Sequence, residues 1–118
     1  MITPQRYRDE LFTRKGTERL LQELIEAAID LNTHILVQDG SGVPDDYYHG
    51  FTRLADHDVL PRELAEALAP SAGLRNRLVH EYDAIVEAIV LDAVWKAQSL
   101  FPQHVAAIER YLISRSHK

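Results

Sequence analysis

The segment Leu74-Arg75-Asn76-Arg77-Leu78-Val79-His80-Glu81-Tyr82 holds the side chains best suited to chemistry in this chain. An arginine fork grips the oxygens of a phosphate through parallel, charge-assisted hydrogen bonds. An imidazole takes up and releases a proton near neutral pH. A neighbouring amide orients either partner. Together these groups suit proton transfer beside a gripped anion. Helix geometry constrains their cooperation. At about 100° per residue, Leu74 and Leu78 share one face and Asn76 and His80 another, while Arg75 and Tyr82 are nearly eclipsed. Arg75 and His80 stand about 140° apart around an ideal helix, so both do not aim squarely at one phosphate. Three arrangements reconcile them: the helix ends before His80, the long arginine reaches round, or a second copy of the chain supplies the missing group. We favour a helix end near His80 combined with a dimer.

A solvated helix end explains the same residues without chemistry. Arg77 and Glu81, four apart, could pair for a few tenths of a kcal/mol, and a histidine suits the negative end of a helix dipole. A loose arginine-to-histidine spacing is also unspecific, since Arg110 and His117 satisfy it too. His57 lies between Asp56 and Asp58, and His49 follows Asp45 and Asp46. Nitrogen-and-oxygen metal sites can be drawn from such clusters, but no His-x3-His pair supports one, so no metal is expected. Asp30, between Ile29 and Leu31, is a surface residue flanking an apolar stripe or a polar group facing a cleft. The chain has no glycine-rich phosphate loop, no Gly-x-Ser-x-Gly elbow and no convincing pair of carboxylates.

These side chains must be positioned by 118 residues, of which 46% are hydrophobic, enough for one ordinary core. We expect a single domain over residues 1–118. Thirteen basic residues against 18 acidic ones give a net charge of -5. That excludes a chain that coats nucleic acid by overall charge, but not a local cationic site. With no cysteine, disulfide frameworks, thiolate metal sites and cysteine nucleophiles are excluded, and a reducing compartment fits. The opening residues lack the apolar run of a secretory signal, and no run approaches bilayer length, so a soluble, cytoplasmic protein is expected.

The elements read as helices throughout. From Thr17 to about Gln38, Leu20, Leu24, Ala27, Ala28, Leu31 and Ile35 recur at helical steps, and Leu21, Ile25 and Ile29 widen the stripe. Thr13 or Thr17 could cap its start, and Asp39-Gly40-Ser41-Gly42-Val43-Pro44 stops it. A short helix follows from Asp46 to about Ala55, with Tyr47, Phe51 and Leu54 on one side. Pro61 suits the first turn of the next helix. Pro70 should break that helix near Ala69, with helix resuming until about Glu81. The last helix begins near Asp83, and Pro102 should kink or split it. The expected architecture is all-α: a four- to five-helix up-and-down bundle with short connections.

The full string from Arg75 to Tyr82, with the helix that follows, resembles the signature of the HepT-like family of the HEPN superfamily. Ile25 to Leu36 is similar to that family's long core helix, and Leu100-Phe101-Pro102 and Ile108 to Leu112 to its C-terminal helix, so the likeness spans about Thr17 to Leu112. Two positions depart from it: Pro70 stands where unbroken helix is usual, and Arg77 where an apolar residue is common. The resemblance implies a homodimeric, metal-independent endoribonuclease toxin with no cofactor and no membrane or DNA partner. Its partner would be a minimal nucleotidyltransferase antitoxin. Arg75 and His80 would be catalytic and Asn76 supporting. Tyr82 would be the tyrosine that the antitoxin adenylylates. On that expectation RNA supplies its own 2′-hydroxyl nucleophile, His80 moves the proton, and Arg75 clamps the non-bridging oxygens. A nucleotidyl group on Tyr82 would set a competing phosphate beside Arg75. The alternatives are a non-catalytic helical module that binds a nucleotidyltransferase, and a helical nucleotide-binding domain.

Overall fold

The computed structural model describes residues 3–5, 10–80 and 87–116, without the side chains of residues 11 and 12. Pro4 and Gln5 are helical, and five longer helices order the described chain from Leu11 onward: α1 (Leu11–Gln38), α2 (Tyr47–Asp56), α3 (Arg62–Leu68), α4 (Ser71–His80) and α5 (Glu87–Ser116). Two long helices therefore flank three short ones, and the described residues contain no strand.

Helix α1 starts at Leu11, ahead of both threonines proposed as caps. Thr13 instead donates its hydroxyl to Glu10 Oε2 at 2.8 Å, and Thr17 donates to the Thr13 carbonyl at 2.7 Å. Bonding back to the preceding turn lets a threonine sit inside a helix. The apolar stripe is also rotated from its expected phase. Leu20, Leu24 and Ala27 face solvent, Leu20 being 69% exposed, whereas Leu21, Ile25, Ala28, Ile29, Ile35 and Leu36 are buried. The two sets have the same period and differ by one residue, about 100° of rotation. Only packing selects between them. Beyond Gln38 the chain turns through Gly40 and Gly42, with φ of 87° and 78°, where a side chain would be strained. Ser41 N–H donates to the Leu36 carbonyl at 2.9 Å, closing the helix end.

Helix α2 begins at Tyr47, one residue after its expected start, and Asp46 is its cap, accepting from the His49 N–H at 2.8 Å. Phe51 and Leu54 are fully buried, but Tyr47 is left 41% exposed. Gly50 brings the backbone of α2 close to α1: a Cβ there would stand 3.5 Å from Pro44 Cγ and 3.8 Å from Asn32 Cβ. Pro61 immediately precedes the first residue of α3 rather than lying within its first turn. The expected break at Pro70 is present, with α3 ending at Leu68 and α4 resuming at Ser71. The expected start of the last helix at Asp83 lies outside the described residues. Pro102 does not split α5, which is helical on both sides of it to Ser116. Proline removes one rung of the backbone ladder, but Phe101, His104, Ala107 and Ile108 are buried around it and hold both halves to the core.

Helices α1 and α5 run parallel and in register. Asn32 meets His104, and Asp39 meets Tyr111, each pair 72 residues apart. A constant offset is the mark of parallel neighbours, and α2, α3 and α4 make the return path. Arg115 adds a second bond to Asp39 at 3.0 Å. The pair near the middle is buried: His104 Nε2 lies 2.7 Å from Asn32 Oδ1, and both residues are 1% exposed. The rings of Phe51 and Phe101 stand 5.8 and 6.4 Å from the imidazole centre. In these apolar surroundings burial pushes His104 down to about 4. The neutral imidazole donates from Nε2 to the amide oxygen, while Asn32 Nδ2 is buried with no partner. No described helix is long and apolar enough to cross a membrane.

Candidate active site

Helix α4 carries the Arg75–His80 string. Ala72 and Leu78 are buried and Leu74 is packed against the core, so the apolar face points inward as the spacing requires. The opposite side presents Asn76 and His80, both exposed, and Arg77 is half-buried. His80 is the last described residue of α4, so the helix does not stop short of it. Arg77 and His80 occupy the final turn, where the carbonyl end of the helix favours cations. Glu81, the proposed mate of Arg77, and Tyr82, the proposed modification site, lie outside the described residues.

Arg75 is not a solvated side chain. Its Nε–H donates to Glu26 Oε2 at 3.0 Å, and a terminal nitrogen lies 2.9 Å from the same oxygen. The other terminal nitrogen donates to Asn76 Oδ1 at 3.2 Å. The guanidinium carbon stands 5.3 Å from the centre of the Tyr47 ring, within the range of cation–π attraction. Three helices therefore meet at one cation: α1 through Glu26, α2 through Tyr47 and α4 itself. The sequence placed Tyr47 only on one side of its helix with Phe51 and Leu54, and gave Glu26 no role. No local pattern marks them, because the pairing joins residues 49 positions apart.

The remaining polar candidates stand elsewhere. His57 Nδ1 lies 3.1 Å from Asp39 Oδ2, and its Nε2 lies 2.8 Å from Ser41 Oγ, so it ties the loop after α1 to the end of α2. His49 Nδ1 lies 2.8 Å from Asp46 Oδ1. The backbone N–H and imidazole of His49 hold the Asp46 carboxyl below the usual carboxylate range. Asp30 is exposed. Among the described residues no group of three or more His, Cys, Asp or Glu side chains is placed to hold a metal ion.

Fold and site together define an all-helical protein that displays an arginine, an amide and a histidine on one short helix, the arginine braced from two others. The ribonuclease HepT-like family model matches residues 2–109. The chain belongs to that family. It is 47% identical over 98 residues to the tRNA nuclease HepT of Aphanizomenon flos-aquae, covering 83% of this chain and 67% of that one. It is 34% identical over 89 residues to the mRNA nuclease HepT of Shewanella oneidensis, covering 75% and 67%. It thus spans about two thirds of the length of these curated relatives. Among solved structures it superposes on a tri-AMPylated HEPN toxin of Shewanella oneidensis in complex with an MNT antitoxin, with a TM-score of 0.80 and 29% identity. That match covers 88% of this chain and 78% of the other.

Proposed function

We propose that the chain is the ribonuclease toxin of a toxin–antitoxin pair, and that Arg75, Asn76 and His80 form its cleaving site. The observation that carries this reading is the outer face of α4, where Asn76 and His80 are exposed beside a guanidinium already held in place. In the reaction the RNA 2′-oxygen attacks the adjacent phosphorus and the bond to the 5′-oxygen breaks. His80 accepts the 2′-hydroxyl proton or returns one to the departing 5′-oxygen. Arg75 spreads its charge over the non-bridging oxygens as the phosphorane forms, and Asn76 orients the phosphate or the imidazole. None of these steps requires a cofactor.

The angular separation of Arg75 and His80 on a helix that runs through both supports a homodimer, in which one copy complements the other. The exposed Leu20 and Leu24 on α1 lie beside Val94 and Ala97 of α5, and give a second copy an apolar strip to bury. The purified chain should cleave RNA in the presence of a chelator, leaving 2′,3′-cyclic phosphate and 5′-hydroxyl ends, with tRNA and mRNA tested as separate substrates. No cleavage of either, together with no effect on growth when the chain is expressed alone, would favour the non-catalytic binding module.

Tyr82 is proposed as the target of a nucleotidyltransferase antitoxin. Its support is the AMPylated state of the Shewanella toxin and the place of Tyr82 two residues beyond His80 in the sequence. Mass spectrometry of the chain co-expressed with its nucleotidyltransferase neighbour should find adenylyl mass on Tyr82. A stable but unmodified complex would replace this with inhibition by steric cover.

A further inference from the structure

The Arg75 guanidinium is partly committed before any substrate arrives. It has five N–H donors. Two of them point at Glu26 Oε2 and one at Asn76 Oδ1. That leaves two, one on each terminal nitrogen, the number a bidentate phosphate contact takes. Glu26 and Arg75 are both half-buried, at 32% and 22% side-chain exposure, so water screens their attraction less than at an open surface. Gln22 Nε2 also approaches Glu26 Oε2, at 3.4 Å and from the same helix, which helps fix the carboxylate. The Tyr47 ring backs the guanidinium from α2.

We infer that Glu26 is a positioning residue of the RNA-cleaving site: it orients the Arg75 guanidinium and offsets its charge, so that Arg75 meets a phosphate in one pose and with reduced ground-state attraction. This rests on the reading above that Arg75 grips the scissile phosphate. The two effects of Glu26 have opposite signs in kinetics. Removing the carboxylate frees a full cation, which strengthens RNA binding in any pose. The same change loosens the geometry in which that cation stabilises the phosphorane. A group that costs ground-state affinity and improves the transition state is recognised by kcat and KM falling together when it is lost. A carboxylate that serves only as a strut between α1 and α4 moves neither.

The test compares wild type, Glu26→Ala, Glu26→Gln and Arg75→Ala as intact proteins of equal helicity, with kcat, KM and thermal midpoint measured on one RNA. Glu26→Ala is expected to lower kcat by about ten- to a hundredfold, the range a small misplacement of a catalytic group produces, while KM falls severalfold. The salt dependence of binding should steepen by roughly one counterion. Glu26→Gln keeps an acceptor for the guanidinium and loses the charge. It should recover most of kcat while KM stays low. A Glu26→Ala protein with wild-type kcat and KM and only a lower thermal midpoint overturns the inference and leaves Glu26 as a strut. The two readings separate on the fourth protein. If Arg75→Ala cleaves normally, the site itself is misassigned. If Arg75→Ala is inactive and Glu26→Ala is unchanged, only the role of Glu26 fails.

Discussion

Replacing His80 with alanine is expected to reduce RNA cleavage by about 10²–10⁴-fold, the usual contribution of a positioned general acid–base group. The loss should fall on kcat, because an exposed imidazole at the end of α4 moves a proton in the transition state and adds little to ground-state binding. Protein stability should stay close to wild type, since nothing is buried by that side chain. Arg75→Ala should cost a comparable factor and Arg75→Lys nearly as much. An ammonium has no planar fork, so it cannot bond Glu26 and a phosphate together in the arginine's geometry. A mixture of the two inactive chains then asks where the site is built. If each site takes Arg75 from one copy and His80 from the other, half of the dimers are mixed and carry one intact site. The mixture should then regain about a quarter of wild-type activity, as the symmetry of a two-fold dimer requires. A His80→Ala protein that cleaves at the wild-type rate sinks the assignment outright. A mixture that stays inactive places each site within a single chain.

Acid should weaken the fold through one buried imidazole. His104 is held at about 4 by burial, against an ordinary value of 6.5. The unfolded chain therefore takes up this proton before the folded one does. The full contribution is present above pH 6.5 and is lost as pH falls from there towards 4, amounting to about 3 kcal/mol at pH 4 relative to pH 7. Carboxylates titrate in the lower part of the same range, so the contribution of His104 is read as a difference between proteins. Replacing the pair together, Asn32→Leu with His104→Phe, removes both polar groups from the centre of the fold. Such double replacement is near neutral when shape is kept, and here it also removes the unpartnered Asn32 Nδ2. Urea midpoints at pH 7 and pH 4 should show the double variant losing about 3 kcal/mol less than wild type on acidification. Equal losses would mean that His104 is not the acid-sensitive group. His104→Ala alone should be costly at both pH values, because it leaves a cavity between Phe51 and Phe101 and orphans the Asn32 oxygen.

The buried pair also shows why some of the fold could not be read in advance. Asn32 sits inside a helical apolar pattern, and His104 comes two residues after Pro102. Nothing local distinguishes them from surface residues. Their partnership depends on α1 and α5 lying parallel at a fixed offset, a long-range fact carried by no window of sequence. Helix α1 repeats the lesson. Its apolar residues are numerous enough to define two adjacent stripes, and the side that turned inward was settled by what α2, α4 and α5 could cover.

By itself the sequence determined the helical class, the break at Pro70, the loop through Gly40 and Gly42, and the string from Arg75 to His80. Each of these rests on local chemistry: periodic apolar residues, a missing N–H, a backbone without a Cβ. Tertiary structure alone decided that Arg75 is paired with Glu26 and backed by Tyr47, that Leu20 and Leu24 face outward, and that His104 is buried against Asn32. The physical reason is common to all three. Burial and ion pairing are made between helices distant in sequence, so they exist only once the helices have packed.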